Sequence, residues 1–149
     1  MIPIDFLRFK AQLKTKVNKD RRYIFDPIRQ KYLVLFPEEL VRQLVLLYLI
    51  QDKKYNKNRV KVEKTLKVNQ RTKRCDILIY DQAVQPLLLV ECKAPQVKIT
   101  QATFEQIAWY NMPLQVQYLV VTNGLSTYCC KMDYERQTYH FLEEIPEFD

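Results

Sequence analysis

The chain has 149 residues, of which 48% are hydrophobic, so it can form one domain with a sizeable core and is not intrinsically disordered. Its 24 lysines and arginines against 17 aspartates and glutamates give a net charge of +7. This balance favours an anionic partner, with nucleic acid as the first candidate. The single glycine, Gly124, excludes a glycine-rich phosphate loop.

Neither the N-terminus nor the longest hydrophobic stretch indicates a membrane or secreted protein. The first ten residues, MIPIDFLRFK, lack the apolar core of a signal peptide, and Leu40–Ile50 contains Arg42 and is too short to span a bilayer. The four cysteines show no CxxC spacing, which indicates free thiols in a reducing compartment. We therefore expect a cytoplasmic protein without a membrane contact.

The first third of the chain predicts mostly helix. A short helix is expected within residues 1–20, followed by extended pieces at Tyr23–Phe25 and Lys31–Leu35 around an Asp-Pro turn. Because proline is favoured at the first position of a helix, Pro37 predicts the start of a longer helix. Apolar residues at helical spacing carry that helix to about Asp52.

Strands dominate the rest of the chain, with one more helix at Thr100–Asn111. The predicted strands are Arg59–Val68, Arg74–Tyr80, Leu87–Lys93, Gln117–Thr122, Thr127–Met132 and Thr138–Phe141. This order predicts an α/β fold with a mixed central sheet. Since no repeat, linker or break in composition interrupts the sequence, residues 1–149 are expected to form a single domain.

Two of the predicted strands bring acidic residues together. If Tyr80 faces Leu87 across the Asp81–Pro86 turn, Asp76 faces Glu91 in an antiparallel hairpin. Side chains alternate along a strand, so both acids lie on one face, with Lys93 a step beyond. Facing Cβ atoms in such a pair are about 4.5–5.5 Å apart. The hairpin therefore predicts a pair of carboxylates with a lysine beside it.

Two facing carboxylates repel each other unless a cation lies between them. Mg²⁺ prefers carboxylate oxygens and keeps several of its waters, so the pair predicts a Mg²⁺ site, in which Mn²⁺ can substitute. A metal beside an ammonium group suits phosphodiester hydrolysis. Two other interpretations stay open from these residues: Glu91 and Lys93 as a surface ion pair at a strand end, and Asp76 as an acceptor for a backbone N–H.

The spacing of Asp76, Glu91 and Lys93 resembles the motif of the PD-(D/E)xK nuclease superfamily. Five segments make the resemblance more specific: FDPIRQKYLVLFPEELVRQ, KRCDILIYD, PLLLVECKAP, QATFEQIAWYN and YLVVTNGL. In this order they resemble the N-terminal nuclease-like domain of type I restriction enzyme R subunits, over roughly residues 23–126. The resemblance implies a restriction-endonuclease-like domain, with helices flanking a mixed sheet, that cleaves DNA with Mg²⁺.

Carried over residue by residue, the resemblance makes Asp76 and Glu91 the metal-binding acids and Lys93 the catalytic lysine. It implies a further acid on the preceding helix, for which Glu38 is favoured over Glu39 because it shares a helix face with apolar residues that point at the sheet.

The resemblance also implies a glutamine and a tyrosine, four residues apart, on the helix that follows. Gln106 matches the supporting catalytic glutamine, and Tyr110 matches the tyrosine that reaches toward the substrate backbone. The chain departs from the family pattern at Phe36, which cannot cap a helix where Thr or Ser is usual, and at Cys75, which precedes the acid. No helicase motor follows in the chain, so it is not expected to be a complete type I subunit.

Ten lysines and arginines lie between Lys53 and Arg74. Lys57, Arg59 and Lys61 are the predicted contacts to substrate phosphates, and the alternative is a solvated strand face. Aromatic residues are too sparse in this stretch to predict a stacking platform for single strands.

The sequence thus favours a Mg²⁺-dependent nuclease with DNA as its partner. Cleavage or processing of RNA is a further option. The alternative from a different class is a nucleic-acid-binding or partner-docking module that keeps the fold with little or no catalysis. A homodimer is compatible with the sequence, since many small nucleases need two active sites to cut two strands.

Overall fold

The computed structural model describes residues 1–68 and 70–147, except for the side chains of residues 68 and 71–74. A 3-10 helix, Phe6–Gln12, opens the chain. Three antiparallel strands follow, β1 (Thr15–Asn18), β2 (Arg21–Asp26) and β3 (Lys31–Val34), and form a small sheet in the order β1-β2-β3. No helix of the described residues is long and apolar enough to cross a membrane.

The prediction of a helix within residues 1–20 is correct only for its first part. Thr15–Asn18 pairs with β2 instead, because Thr15 and Val17 are β-branched and favour a strand. The hairpin between the two strands turns at Lys19 and Asp20, whose φ angles of 50° and 63° are left-handed. The extended pieces predicted on either side of the Asp-Pro turn are confirmed as β2 and β3.

The first α-helix, α1 (Pro37–Gln51), begins at the predicted proline. Phe36 precedes it without a side-chain cap, as its chemistry requires. The second, α2 (Gln101–Asn111), is capped by the Thr100 side chain, which accepts a hydrogen bond from the Thr103 N–H at 3.1 Å. Both predicted helices are therefore confirmed.

Six strands form the main sheet, in their order along the chain. They are β4 (Val60–Val68), β5 (Arg71–Tyr80), β6 (Pro86–Cys92), β7 (Tyr118–Thr122), β8 (Thr127–Asp133) and β9 (Thr138–Leu142). Only β6 and β7 pair in parallel, because α2 connects them as a crossover; the other neighbours are antiparallel. The predicted α/β architecture with a mixed sheet is confirmed.

The two helices bury opposite faces of this sheet. On one side, α1 and the N-terminal 3-10 helix cover residues such as Ile77 and Val90. On the other, α2 covers Leu78 and Leu89. The alternation of strand side chains thus divides the core into two layers with the sheet between them. All four cysteines are buried within these layers, and none of them is part of a disulfide.

The β5–β6 hairpin has the predicted register in its middle but not at its turn. Leu78 pairs with Leu89, as predicted, whereas Tyr80 pairs with Pro86 and not with Leu87. The shift arises at the turn, where the Asp81 side chain accepts backbone N–H groups of residues 83 and 85, both at 2.9 Å. Away from the turn, the predicted register holds as far as the pair Ile77 and Val90, which precedes the two acids.

Candidate functional site

The predicted pair of acids meets at the ends of β5 and β6. The Asp76 and Glu91 carboxyl groups lie close enough for the charge of Asp76 and a side-chain interaction with it to raise the pKa of Glu91. Asp76 Oδ2 also accepts the backbone N–H of Cys92 at 2.8 Å, so the carboxylate is held against the neighbouring strand. The structure therefore brings these two side chains together as the register predicted. The alternative interpretation, in which Asp76 accepts a backbone N–H, therefore also describes a real contact. This contact does not exclude a metal site at the two acids.

The Glu91 carboxyl is the most perturbed acid in this pair. Burial raises its pKa first, and the charge of Asp76 and the hydrogen bond between the two carboxyls raise it further, to about 7. Lys93 and a hydrogen bond from Asn111 act in the opposite direction. Without a cation, burial and the charge of Asp76 therefore favour the protonated form of Glu91.

Lys93 lies one residue beyond β6 and is half-buried. Its backbone N–H donates to the Thr122 carbonyl at 2.8 Å, which holds the chain against β7 as the strand ends. Its charge lowers the pKa of both Glu91 and Glu38. The ammonium therefore acts electrostatically on one acid of the pair, Glu91, and on Glu38 at the start of α1.

Arg42, which the sequence analysis assigned no role in the site, is the central cation of the site. Its side chain is only 4% exposed, and its Nη2 lies 2.8 Å from Asp76 Oδ1. It also contacts Glu39 at 2.6 Å and Glu63 at 3.1 Å. Burial by itself lowers the pKa of Arg42, but its bond to Asp76 and the charges around it raise that pKa above the usual range. The guanidinium is thus a permanent positive charge that orients Asp76.

The two acids at the start of α1 have different environments. The Glu38 side chain is 49% exposed, and its nearest contact to Arg42 is 3.7 Å. Partial burial raises its pKa, and the charge of Asp76 adds to this. Glu39 is buried and accepts hydrogen bonds from Arg42 and Gln43. Glu38 is therefore the more accessible acid, and its predicted role in metal binding stays a prediction.

A second arginine joins the small sheet to this network. Arg29 donates to Asp26 of β2 at 2.7 Å, to Glu63 of β4 at 3.1 Å and to Glu39 of α1 at 3.4 Å. Glu39 and Glu63 also contact Arg42, so an unbroken chain of ion pairs leads from β2 to Asp76.

From α2, the residue that reaches the site is Asn111. Its Nδ2 donates to Glu91 Oε1 at 3.4 Å and to the Ile107 carbonyl at 2.9 Å. Gln106 and Tyr110, the residues predicted from the family motif, lie on an exposed part of the helix. The spacing of Phe104, Ala108 and Asn111, all buried, could have identified Asn111 as facing the sheet.

The charges around Asp76 and Glu91 fit a divalent cation. Six carboxyl groups lie in this linked set of side chains, against three cations, which leaves an excess of three negative charges if every group ionises. The acids are Asp26, Glu38, Glu39, Glu63, Asp76 and Glu91, and the cations are Arg29, Arg42 and Lys93.

An orphaned oxygen supports the same fit. Asn111 Oδ1 is buried, beside Glu91, and has no hydrogen-bond partner among the described residues; a water on a hydrated ion would satisfy it. No set of three or more histidine, cysteine or acidic side chains in the described part of the chain is arranged to hold a metal. Mg²⁺ binds through as few as one or two carboxylates and retains waters, so the pair of Asp76 and Glu91 can be compared only with this kind of site.

A sequence comparison assigns the family. The family model described as "Type I restriction enzyme R protein N terminus (HSDR_N)" matches residues 37–146, about three quarters of the chain. The chain belongs to this family. No curated protein matches it in sequence.

A solved structure shares the fold. It is the fragment structure of a putative HsdR subunit of a type I restriction enzyme from Vibrio vulnificus YJ016, with a TM-score of 0.53 and 18% identity. The match covers 75% of this chain and 24% of the other, so this HSDR_N chain spans about a quarter of its solved relative.

The predicted phosphate contacts of this HSDR_N domain lie along β4 and the turn before it. Lys57 and Lys61 are exposed, whereas Arg59 is half-buried and donates to the Asp81 carbonyl at 2.6 Å. Arg59 and Lys61, together with Lys64 and Tyr80, line an open cavity of about 620 Å³. Arg59 therefore has a structural contact, and the two lysines are the accessible cations. The side chains of Arg71, Lys73 and Arg74 lie outside the described part of the structure.

Proposed function

We propose that this chain is a Mg²⁺-dependent nuclease that hydrolyses phosphodiester bonds of DNA, built on a restriction-endonuclease-like fold of the PD-(D/E)xK superfamily. The observation that carries the proposal is the proximity of the Asp76 and Glu91 carboxyl groups, with the charge of Lys93 acting on Glu91. Membership of the HSDR_N family supports a role in a restriction system, and thus an interaction with DNA.

The chemistry follows from the side chains. Asp76 and Glu91 would hold Mg²⁺, with assistance from Glu38. When bound, the ion polarises a phosphoryl oxygen and lowers the pKa of a bound water. Lys93 would stabilise the negative charge that develops in the transition state. Arg42 holds Asp76 Oδ1 at 2.8 Å, and so limits that carboxylate to one orientation.

The substrate would lie across the exposed surface next to these acids. Gln106 and Tyr110 are exposed on α2 and available to the DNA backbone. Lys57 and Lys61 supply further sequence-independent contacts to phosphates. Each of these residues keeps the role that the family motif or the charge pattern predicts.

One observation favours a module that binds nucleic acid or a protein partner without catalysis. Both oxygens of Asp76 already have partners, namely Arg42 and the Cys92 N–H. A site in which these contacts are too strong to share with a metal would keep its fold and its surface but not its chemistry. Cleavage of RNA remains a variant of the main proposal, since the same acids serve either backbone.

The decisive experiment compares Lys93→Ala with wild type on linear, branched and single-stranded DNA and on RNA, with Mg²⁺, Mn²⁺ or EDTA. We expect metal-dependent cleavage of DNA by the wild type, reduced about 10²-fold or more in the variant, with Mn²⁺ binding retained. Lys98→Ala, which changes an exposed lysine of a nearby loop, is the matched control. No cleavage by the wild type on any substrate would favour the binding module. Equal cleavage by Lys93→Ala and wild type would remove Lys93 from the mechanism.

A further inference from the structure

The small sheet β1–β3 has one face that is buried around Ile24 and Asp26 and an opposite face that is more exposed. Cross-strand partners share a face, so Ile24 lies with Leu33 on one side, and Asp26 two residues further along β2 is on that side too. Ile24 and Asp26 are both completely buried, which identifies the inner face. The opposite face carries Tyr23, whose neighbours across the sheet are Lys16 and Val34.

Rings and cations alternate on this outer face. Phe25 and Tyr32 are paired across the strands, with ring centres 5.2 Å apart in an edge-on arrangement. The Lys16 ammonium lies 4.0 Å from the centre of the Tyr32 ring, and that of Lys14 lies 5.6 Å from the Phe25 ring. Tyr32 remains 39% exposed, so part of its side chain is accessible to a ligand beside Lys16 and Phe25.

The combination of aromatic rings with adjacent cations suits single-stranded nucleic acid. An aromatic ring stacks on an unpaired base, and adjacent cations neutralise the phosphates of the same strand. Bases of a duplex are stacked on each other and are not free to use such rings. The charge excess supports a polyanion, because Lys14, Lys16 and Arg21 are exposed on this face and none of the described acidic side chains of β1–β3 lies on it.

We propose that the outer face of the β1–β3 sheet is a binding surface for single-stranded DNA, with bases stacked on Tyr32 and Tyr23 and phosphates held by Lys14, Lys16 and Arg21. The surface lies before residue 37, where the match to the HSDR_N family model begins. It does not depend on cleavage and stands whether or not the carboxylate pair is catalytic.

The ion-pair chain gives this surface a fixed relation to the acids. Arg29 lies in the turn between β2 and β3 and forms ion pairs with Asp26, Glu39 and Glu63. Arg42 shares the last two acids and contacts Asp76. A strand bound on the outer face is therefore held on a sheet that cannot shift freely with respect to Asp76. The surface would position an unpaired segment of DNA relative to the site.

The experiment measures fluorescence anisotropy of a labelled oligothymidine of about 16 nucleotides, the upper end of typical site sizes, in EDTA. Tyr32→Ala should weaken binding by about 5- to 100-fold, the range for loss of one stacked base. Tyr32→Phe keeps the ring and should bind as wild type does. Unfolding curves of the variants establish that they remain folded, and Tyr32 is exposed enough for this to be expected.

Two further comparisons separate stacking from general attraction to charge. A strand of the same length without bases should bind wild type more weakly than oligothymidine does, and Tyr32→Ala should no longer distinguish the two. Lys16→Gln should reduce the slope of log K against log salt by about 0.7, whereas Lys131→Gln, an exposed lysine on β8, should not affect it. The proposal is wrong if Tyr32→Ala binds as tightly as wild type, or if it weakens binding to duplex DNA by the same factor.

Discussion

Glu91→Gln and Asp76→Asn should change the stability of the metal-free protein in opposite directions, although both remove one negative charge from the same pair. Glu91 has its pKa raised from 4.5 to about 7, with burial as the main cause. The folded protein favours the neutral form of Glu91, and this preference adds to the free energy of unfolding. The contribution is fully present below pH 4.5 and is lost as the pH rises through about 7. Glutamine cannot ionise and therefore keeps this contribution.

The magnitude follows from the two pKa values. One pKa unit corresponds to about 1.4 kcal/mol, so ionising Glu91 in the folded protein costs about 3 kcal/mol at pH 8 and about 1 kcal/mol at pH 5. Glu91→Gln should therefore increase the free energy of unfolding by these amounts. The increase should be largest where the wild-type carboxyl is most fully ionised.

Asp76→Asn has the opposite sign because Asp76 has partners that need its charge. Its two oxygens accept hydrogen bonds from Arg42 and from the Cys92 N–H, each at 2.8 Å. An amide offers one acceptor in place of two and presents a donor to the other partner. Hydrogen bonds to charged groups are worth about 1.5–3 kcal/mol. Relief of Glu91 offsets part of this, but burial is the larger cause of its raised pKa, so we expect a loss of about 1–2 kcal/mol at pH 8.

Urea unfolding at pH 8 and pH 5, in EDTA, measures both effects. Glu135→Gln, an exposed acid in a turn, is the control and should stay within about 0.5 kcal/mol of wild type. The reasoning is refuted if Glu91→Gln is less stable than wild type at pH 8, or if its gain is the same at both pH values. A gain for Asp76→Asn would show that Arg42 does not depend on this carboxylate.

The remaining predictions concern ligands. Mn²⁺ affinity, measured by calorimetric titration between pH 6 and 8, should rise about tenfold per pH unit below pH 7 and level off above it, because the ion must displace the Glu91 proton. The Glu91→Gln variant should bind Mn²⁺ weakly at every pH. A wild-type affinity that does not change with pH would contradict the metal assignment. Changing Lys57 and Lys61 to Gln should weaken binding to all duplex sequences alike and reduce the salt slope by up to about 0.9 per contact, while Lys131→Gln should not; an unchanged slope would make this face merely solvated.

Local patterns in the sequence determine much of this protein. Period-two alternation and the spacing of the β5–β6 hairpin were enough to predict that Asp76 and Glu91 meet, because a strand leaves each side chain only two directions. Pro37 located the start of α1 for a similar reason, since its ring is compatible with a helix only in the first turn. These are predictions from covalent geometry and neighbours along the chain.

Tertiary structure decided which polar side chains enter the site. Arg42, in a mostly apolar stretch of α1, is buried among acids that include Glu63 of β4 and Asp76 of β5. Glu39 is buried in preference to Glu38 because Arg29 and Arg42 both contact it. Buried charges need partners, and these partners come from strands that lie far away in the sequence.

Tertiary structure also determines the small β1–β3 sheet and its outer face. Thr15–Asn18 is a strand because β2 is beside it, and an isolated segment of four residues has no ladder to join. The outer face of the small sheet exists only once β1, β2 and β3 are paired, since its rings and cations come from all three strands. The sequence alone determines which residue types are available, and cross-strand pairing decides which of them share a surface.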